Sequence, residues 1–315
     1  MQNMLANPIH IRRLAKLRMR SLTTDGFLVI DKSAGMTSHD VVAIARRSLG
    51  TRKVGHAGTL DPMATGVLIL GFGNGTRLLQ YITDGDKSYT ATIVLGASTV
   101  TDDAEGEVLT TATSEQLETI TDEEINQALS AMHGVIAQRP SSVSAVKVHG
   151  ERAYARVRAG EDVQLPPKKV TISQLDVRAI RRIHQRIEVD IEVTCSAGTF
   201  IRAIARDCGI ALGVGGHLNA LRRTRVASFG LPGSISIEEL KANAFEPLTI
   251  AEVASAIFPI REVTGEEAIE LSFGRSLTLG KSGDVTAAMS QGRIVALLSN
   301  RDGSARPIAV FTAKS

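Results

Sequence analysis

Two segments of the chain alternate between apolar and polar residues, with Val94 as the one exception, and this alternation limits the fold more than any other feature. The apolar positions of the two segments are Tyr89, Ala91, Ile93 and Leu95, and Ile187, Val189, Ile191 and Val193. A two-residue period places every apolar side chain on one face of a β-strand. Each segment therefore predicts a strand with one buried face, which needs a second layer of structure packed against it.

Helix signals lie between the predicted strands without a regular strand–helix–strand rhythm. Thr37 or Ser38 can cap a helix that ends before Gly50, and Thr121 with Glu124 forms a capping box at the start of another. Further strands are predicted at 27–30, 67–71, 170–177 and 223–229, and a further helix at 200–212. The pattern indicates an α+β domain with a mixed sheet.

The composition changes after the Leu-Pro-Gly turn that ends at Gly233. Ser236 and Glu239 can cap a short helix beyond this turn. Three strands separated by turn residues are predicted at 284–290, 293–299 and 306–312. The end of the chain is therefore expected to form a small β-rich domain.

Composition and charge divide the chain into three predicted parts. They are a flexible basic extension over 1–24, a larger domain over 25–233 and the small domain over 234–315. The extension holds five bases and no acids, whereas residues 236–315 hold ten acids and eight bases. Basic charge on the front part suits a polyanionic partner, although on charge alone an ordinary solvated surface is the more frequent explanation. Met19 lies just before the first predicted strand, so the residues preceding it are expected to be dispensable.

Cysteine usage and hydropathy exclude several classes of protein. Cys195 and Cys208 give neither a disulfide framework nor a zinc-ligand spacing, and they fit small buried residues in a reducing cytosol. No apolar run reaches the roughly 18 residues that a membrane span needs. The basic N-terminus lacks the apolar stretch of a signal peptide. We therefore expect a cytoplasmic protein that does not associate with a membrane.

A glycine-punctuated loop leads directly into the predicted strand at 67–71. Its sequence, from residue 55, is Gly-His-Ala-Gly-Thr-Leu-Asp-Pro-Met-Ala-Thr-Gly-Val-Leu. Glycines let the backbone approach a ligand closely, and Pro62 stiffens the residue that follows Asp61. The carboxylate of Asp61 would then be held on a rigid loop at the entrance of a strand, where functional residues are common. Taken alone, an Asp-Pro pair is more often a simple turn.

Further segments accompany this loop in a fixed order. They are Asp31–Ser38, Lys87–Tyr89, Ser196–Arg202, and Gly215–His217 followed by Leu221–Thr224. Together with the loop at 55–68 they resemble the motifs of the tRNA pseudouridine-55 synthases of the TruB type. In that family the aspartate of Leu-Asp-Pro is the essential carboxylate. The resemblance covers roughly residues 26–230.

This resemblance implies an enzyme that converts uridine to pseudouridine at position 55 in the T-loop of tRNA. The N-glycosidic bond breaks, the base rotates and the base rejoins the ribose through C5. Each step is a task for a nucleophile or a proton carrier, so no metal and no cofactor is implied. The implied partner is the T-stem-loop of tRNA, bound by a monomer that needs no obligate protein partner.

The resemblance also assigns catalytic roles to three residues. Asp61 would act on C1′ or C2′ of the ribose or on the base, and the sequence leaves these alternatives open. Arg202 would pair with Asp61 and favour its ionised form. Tyr89 would lie against the target base and could take the C5 proton. Without the motifs, the local patterns predict that Arg202 lies on a helix surface and that Tyr89 is a core aromatic residue.

Three more residues are expected to bind the substrate. His56 would help to extrude the uridine from its stack, while Phe200 and Leu221 would line the base pocket. The sequence departs from the family pattern at two positions, since Ser33 replaces a proline and Phe200 replaces a tyrosine. The second change removes a hydroxyl but keeps the ring, so packing or stacking on the base is still expected.

RNA affinity is expected from two basic segments. Residues 135–168 contain prolines, two glycines and more bases than acids, and the resemblance implies a mobile flap that closes over the RNA. The second segment is the cluster Arg222–Arg225. The C-terminal domain resembles a shortened PUA barrel, and its net negative charge argues against a strong RNA contact there.

Other functions are weighed against this interpretation. The glycine-rich string Gly71–Gly75 follows a predicted strand, as the glycines of a dinucleotide-binding motif do. The third glycine of that motif is absent here. A non-catalytic RNA-binding or RNA-folding protein on the same scaffold is disfavoured by intact Asp61, Tyr89 and Arg202. The same chemistry on another RNA, or within a guide-dependent complex, stays open.

Overall fold

A computed structural model describes residues 24–141, 147–148, 151–152, 165–278, 284–301 and 303–311. The predicted extension therefore lies outside the described residues apart from Thr24. The chain forms two compact units. Unit 1 takes the described residues of Met1–Asp61, Val67–Thr83 and Ala227–Ser315, and unit 2 takes those of Pro62–Gly66 and Asp84–Val226.

The described elements are numbered here in chain order. The helices are α1 (Ser38–Leu49), α2 (Leu79–Thr83), α3 (Ser114–Thr119), α4 (Asp122–Ser130), α5 (Ile201–Ala211), α6 (Ile237–Lys241), α7 (Ile250–Ile257) and α8 (Gly265–Ser272), and a 3-10 helix covers Gly73–Leu78. The strands are β1 (Gly26–Lys32), β2 (Val54–His56), β3 (Thr65–Phe72), β4 (Lys87–Leu95), β5 (Ala97–Thr99), β6 (Val108–Thr111), β7 (Gly134–Gln138), β8 (Lys147–Val148), β9 (Glu151–Arg152), β10 (Lys168–Ile183), β11 (Arg186–Cys195), β12 (Gly216–Val226), β13 (Phe229–Gly230), β14 (Ile260–Glu262), β15 (Leu277–Thr278), β16 (Val285–Ser290), β17 (Arg293–Arg301) and β18 (Ser304–Val310).

Unit 2 is built on a sheet with the strand order β12-β4-β11-β10-β7, and these neighbours pair antiparallel. The start of β3 pairs with β12 in the parallel sense at Thr65 and Gly66, so the sheet is mixed. The alternating residues of β4 and β11 are buried on one face, as predicted. Helix α5 packs against β4 and β12. The predicted α+β class with a mixed sheet is confirmed.

The predicted excursion at 135–168 has the wrong ends. Its first residues form β7, which pairs with the start of β10 from Gln138↔Lys168 to Gly134↔Ile172. The side chains of Gln138 and Leu165 are buried, so both ends are packed against the fold. Between the ends, the structure describes one small antiparallel pair, β8 with β9. The predicted mobility of the remaining residues lies outside the described residues and stays a prediction.

Unit 1 contains the β1–β3 region and the predicted C-terminal domain. Strands β14-β16-β17-β18-β15 form a five-stranded sheet in that order, which confirms the three strands expected near the C-terminus. The core beneath this sheet is made of Val263, Leu271, Ala288, Ala296, Leu298 and Ala305. Bridges join β1 to later residues, Phe27 with Leu248 and Ile30 with Ile235. The small β-rich domain is confirmed, and its boundary at residue 233 stays a prediction.

Candidate active site

The loop that holds Asp61 connects β2 to β3. Strand β2 pairs antiparallel with the end of β3, with Gly55 opposite Gly71 and His56 opposite Leu70. The amide of Ala57 continues this ladder by donating to the carbonyl of Ile69 at 2.9 Å. Leu60 is buried, whereas Asp61 keeps part of its surface exposed. A carboxylate in this position is accessible to a ligand while the backbone beside it is packed.

Ser38 is the last residue of the segment Asp31–Ser38, called here the opening motif, and it fixes the backbone next to Asp61. Its buried hydroxyl accepts a hydrogen bond from the amide of Leu60 at 2.9 Å and lies 3.1 Å from the carbonyl oxygen of Leu60, to which it can donate. Ser38 is the first residue of α1, which Thr37 caps. The start of a helix therefore holds the residue that precedes the predicted catalytic carboxylate.

Lys32 of the opening motif and the neighbouring His39 also have structural contacts. Lys32 is fully buried, and its Nζ donates to the carbonyls of Ser33 at 3.0 Å and Met36 at 2.7 Å. Lys32 thus supports the turn that leads to α1. The ring of His39 contacts His56 edge to face, with the centroids 5.6 Å apart. His39 was not expected in the site, because a lone histidine in a helix has no local signal of such a contact.

In unit 2 the strand register brings predicted site residues onto one face. Tyr89 of β4 lies opposite Arg223 of β12, and Ala91 lies opposite Leu221. Directly opposed residues of an antiparallel pair point to the same face, as do residues two apart in one strand. Tyr89, Leu221 and Arg223 therefore form one cluster, and all three are buried. The structure confirms that Tyr89 and Leu221 lie together, while their contact with a base stays a prediction.

Arg223 does not belong to a surface that binds phosphates. The predicted basic cluster 222–225 treats it as one of three exposed arginines, but only 1% of Arg223 is exposed. It forms a hydrogen bond with the side chain of Tyr89, and its pKa is lowered mainly by burial. Arg222 and Arg225 are half-buried and contact Thr65 and Ser88. The alternation of the strand turns Arg223 inward, which corrects the prediction for this residue.

Arg202 lies in the first turn of α5 and is 6% exposed. Its Nη1 donates to the carbonyl of Thr101 at 2.8 Å and lies 3.4 Å from Oδ2 of Asp103. Asp103 is itself buried and held by the hydroxyl of Thr101 and the amide of Glu105. Asp103 was missed in the sequence, although an acidic pair after a strand, before Gly106, was a usable signal. A buried arginine with these partners is not the surface arginine that the helix pattern alone suggests.

Gln138 holds the backbone of Phe200, the residue that caps α5. Its side-chain amide accepts from the amide of Phe200 at 2.8 Å and donates to the carbonyl of Phe200 at 3.0 Å. The ring of Phe200 stays partly exposed. The aromatic side chain is thus presented from a fixed backbone, as its expected contact with a base requires.

Comparison with known proteins places the chain in a family. Residues 46–201 match the model of the TruB family pseudouridylate synthase N-terminal domain. Residues 202–261 match the tRNA pseudouridylate synthase B C-terminal domain, and residues 258–312 match tRNA pseudouridine synthase II, C terminal. The tRNA pseudouridine synthase B of Arthrobacter sp. (strain FB24) is 51% identical over 298 residues, covering 91% of this chain and 96% of that protein. This chain belongs to the TruB family of pseudouridine synthases.

A second TruB relative agrees with this assignment, and a solved structure shares the fold. The tRNA pseudouridine synthase B of Corynebacterium diphtheriae is 48% identical over 295 residues, covering 93% of this chain and 98% of that protein. A chain from the structure of an H/ACA RNP bound to a substrate RNA containing 2′-deoxyuridine has a TM-score of 0.67 at 23% identity. The alignment covers 91% of this chain and 85% of that chain. The structural likeness supports the fold.

The predicted site residues of this TruB protein are divided between the two units. Unit 1 holds His56 and Asp61, and unit 2 holds Tyr89, Phe200, Arg202 and Leu221. The ion pair between Arg202 and Asp61 and the catalytic roles stay predictions. The described ranges contain no group of three or more His, Cys, Asp or Glu residues that could hold a metal ion. Within the same ranges, no helix is long and apolar enough to cross a membrane.

A pocket of about 490 Å³ opens mainly on the other face of the unit 2 sheet, although its lining also includes Leu221 of the Tyr89 cluster. It is lined by residues such as Thr90, Thr92 and Arg222, whose side chains alternate with those of Tyr89 and Arg223. The charged residues around it neutralise one another, as in the ion pair of Arg178 with Glu192 at 2.6 Å. This pocket therefore does not surround the predicted catalytic tyrosine.

Proposed function

We propose that this protein isomerises uridine 55 in the T-loop of tRNA to pseudouridine, with Asp61 as the catalytic carboxylate. Membership of the TruB family gives the general activity, the conversion of uridine to pseudouridine in tRNA. The observation that supports the role of Asp61 is its setting. The carboxylate is partly exposed on the motif loop, and the buried Ser38 hydroxyl holds the residue before it. A reacting group needs such a fixed backbone to meet its target in one geometry.

The chemistry can be assigned to side chains of this chain. While the N-glycosidic bond breaks, Asp61 acts either as a nucleophile on the ribose or the uracil, or as a proton acceptor. Arg202, whose position is set by Thr101 and Asp103, favours the ionised form of Asp61. Tyr89 packs against the freed uracil and takes the C5 proton after the base has rejoined through C5.

RNA recognition is assigned to side chains that contact the extruded uridine and to basic side chains that contact phosphates. The partly exposed ring of Phe200 and the apolar side chain of Leu221 line the space for the extruded uridine, and His56 helps to displace it. Arg222 and Arg225 contact phosphates of the RNA, and so do basic side chains of the segment between β7 and β10. The protein acts as a cytoplasmic monomer on the T-stem-loop, and its acidic C-terminal domain contributes little RNA affinity.

The decisive experiment incubates the protein with unmodified tRNA and maps pseudouridine chemically along the whole molecule. Pseudouridine at position 55 alone is the expected result. Modification at another position or of another RNA would retain the chemistry but refute the proposed target.

The carboxylate is tested in the same assay with Asp61→Asn. This change preserves the shape and removes the charge, so we expect no detectable isomerisation and a Kd for tRNA within about tenfold of wild type, or about 1.4 kcal/mol. Appreciable turnover by this variant would refute the role of Asp61.

A further inference from the structure

Arg223 is a buried cation that the expected mechanism does not use. It is among the largest fully buried side chains of the described residues and is 1% exposed. A buried guanidinium is costly unless hydrogen bonds and charge satisfy it. Its side chain is hydrogen-bonded to that of Tyr89, which lies directly opposite it in the register of β12 with β4.

The direction of this hydrogen bond follows from the chemistry of the two groups. A guanidinium has only donors, so the phenolic oxygen of Tyr89 must accept from Arg223. The proton of a neutral Tyr89 then points away from Arg223. If Tyr89 is ionised, the cation stabilises the phenolate, which is the form that can accept a proton.

The motif loop helps to set the position of Arg223. Gly66, in the string that contains Asp61, pairs with Arg223 in the parallel register of β3 with β12. A Cβ atom at Gly66 would lie 2.2 Å from the carbonyl oxygen of Arg223 and 2.9 Å from its amide nitrogen. The φ angle of Gly66, +99°, is also one that other residues avoid. The absence of a side chain at Gly66 therefore allows the two backbones to approach.

Other charged groups lie on the elements around Tyr89. On β4 itself, Lys87 is buried two residues earlier, and its Nζ donates to the carbonyl of Gly85 at 2.5 Å. On β11 the residue opposite Tyr89 is the apolar Val193. Helix α5 contributes Arg202 in its first turn. The nearest charged residue on β4 is thus cationic. The nearest on β11 is the anionic Glu192, which lies opposite Thr90 and therefore points to the other face of the sheet.

We propose that Arg223 is a positioning residue that holds the phenolic oxygen of Tyr89 as the acceptor of the C5 proton. In this step the C5–H bond breaks, its electron pair returns to the ring, and the proton forms an O–H bond on the Tyr89 phenolate. Arg223 stabilises the negative charge before the transfer and donates to the phenol after it. This inference rests on the proposed function and assigns Arg223 no contact with RNA.

The experiment is a double-mutant cycle measured in single turnover with saturating enzyme. Arg223→Lys keeps the charge but loses the planar fork, so we expect the rate to fall about tenfold or more, with Kd for tRNA changed less than about threefold. The same substitution in a Tyr89→Phe background should change the residual rate less than about twofold, because the hydroxyl is already absent. Equal losses in both backgrounds would show that Arg223 acts independently of Tyr89. A loss confined to Kd would make it a phosphate contact.

If the single-turnover rate of Tyr89→Phe is too slow to measure, a second measurement replaces the double-mutant cycle. With tRNA deuterated at C5 of the target uridine, Arg223→Lys should show a larger isotope effect on the single-turnover rate than wild type. An unchanged isotope effect with a reduced rate would overturn the proposal. Urea unfolding of each variant separates this loss from misfolding. A wild-type protein that forms no pseudouridine would refute the proposed function itself, whereas an active wild type with a negative cycle refutes only this inference.

Discussion

The hydroxyl of Ser38 lies 2.9 Å from the amide nitrogen of Leu60 and 3.1 Å from its carbonyl oxygen. Both groups are buried, and the two residues are 22 positions apart in the chain. Leu60 directly precedes Asp61, so this contact ties the loop that holds Asp61 to the start of α1. The opening motif thus has a structural role beside Asp61.

Ser38→Ala tests this role. The substitution leaves buried backbone groups of Leu60 without their partner, which costs about 1–3 kcal/mol in the free energy of unfolding. We also expect a lower single-turnover rate at saturating tRNA, because Asp61 is no longer held in one geometry. Urea unfolding and rapid-quench assays measure the two effects.

Thr37→Ala is the matched control for this prediction. It removes the N-cap of α1, where the Thr37 side chain accepts from the amide of Asp40, and costs about 1 kcal/mol. Its rate per folded molecule should stay near wild type. If both variants slow the reaction equally, the effect of Ser38 is one of general stability.

Arg202→Lys should reduce the isomerisation rate about ten- to a hundredfold, since hydrogen bonds to charged groups contribute about 1.5–3 kcal/mol. Lysine keeps the charge but cannot reproduce the planar contact with the carbonyl of Thr101 and the carboxylate of Asp103. Folding should remain normal by circular dichroism. Arg206→Lys is a control one helical turn later, where Arg206 pairs with Asp102, and it should change the rate far less. Wild-type activity of Arg202→Lys would exclude it from positioning Asp61.

The two thiols should be inert in the folded protein. Burial raises the pKa of Cys195 to about 11 and that of Cys208 to about 12. At pH 8 only roughly one Cys195 in a thousand is then a thiolate, the reactive form. A thiol reagent should label neither residue at pH 8 and both in denaturant. Rapid labelling of the native protein would contradict this.

The same shifts predict a loss of stability in alkali. An unfolded thiol ionises near its ordinary pKa of 9.0, below the pKa of the folded state. Above that pH the folded state holds more protons than the unfolded state, so the free energy of unfolding falls as pH rises from 9 toward 11. Replacing Cys195 with alanine should remove part of this slope in urea titrations.

Local signals in the sequence predict much of the secondary structure. The helix from Ser38 to Leu49 has the expected cap at Thr37 and ends at Gly50, which adopts a φ of 63°. Capping boxes also begin α7 and α8, at Thr249 and Thr264. These two helices were missed although the signal was present, since each has only eight residues and little room for a periodic pattern.

Long-range contacts are the part that local patterns do not reveal. Arg223 is read as an exposed base from its basic neighbours, yet the register of β12 with β4 turns it inward against Tyr89. Asp103 meets Arg202 across about a hundred residues, a distance over which the sequence has no periodicity to follow. The motifs identify Tyr89 and Arg202, while the contacts that orient them depend on tertiary packing.

Phe200 tests what the aromatic ring contributes. The hydroxyl that the family pattern has here is already absent, so Phe200→Tyr should keep near wild-type activity. Phe200→Ala removes the surface on which a base can pack, and we expect a weaker Kd and a slower rate.

Stability must be measured beside activity for Phe200→Ala. Truncating a large core side chain costs about 3–5 kcal/mol, and a half-buried ring should cost less. Gln138→Ala provides the comparison, because it releases the backbone of Phe200, which Gln138 contacts at 2.8 and 3.0 Å, but keeps the ring. If the ring itself packs on the base, Phe200→Ala should raise Kd more than Gln138→Ala at matched stability. Unchanged Kd and rate in Phe200→Ala would remove Phe200 from the site.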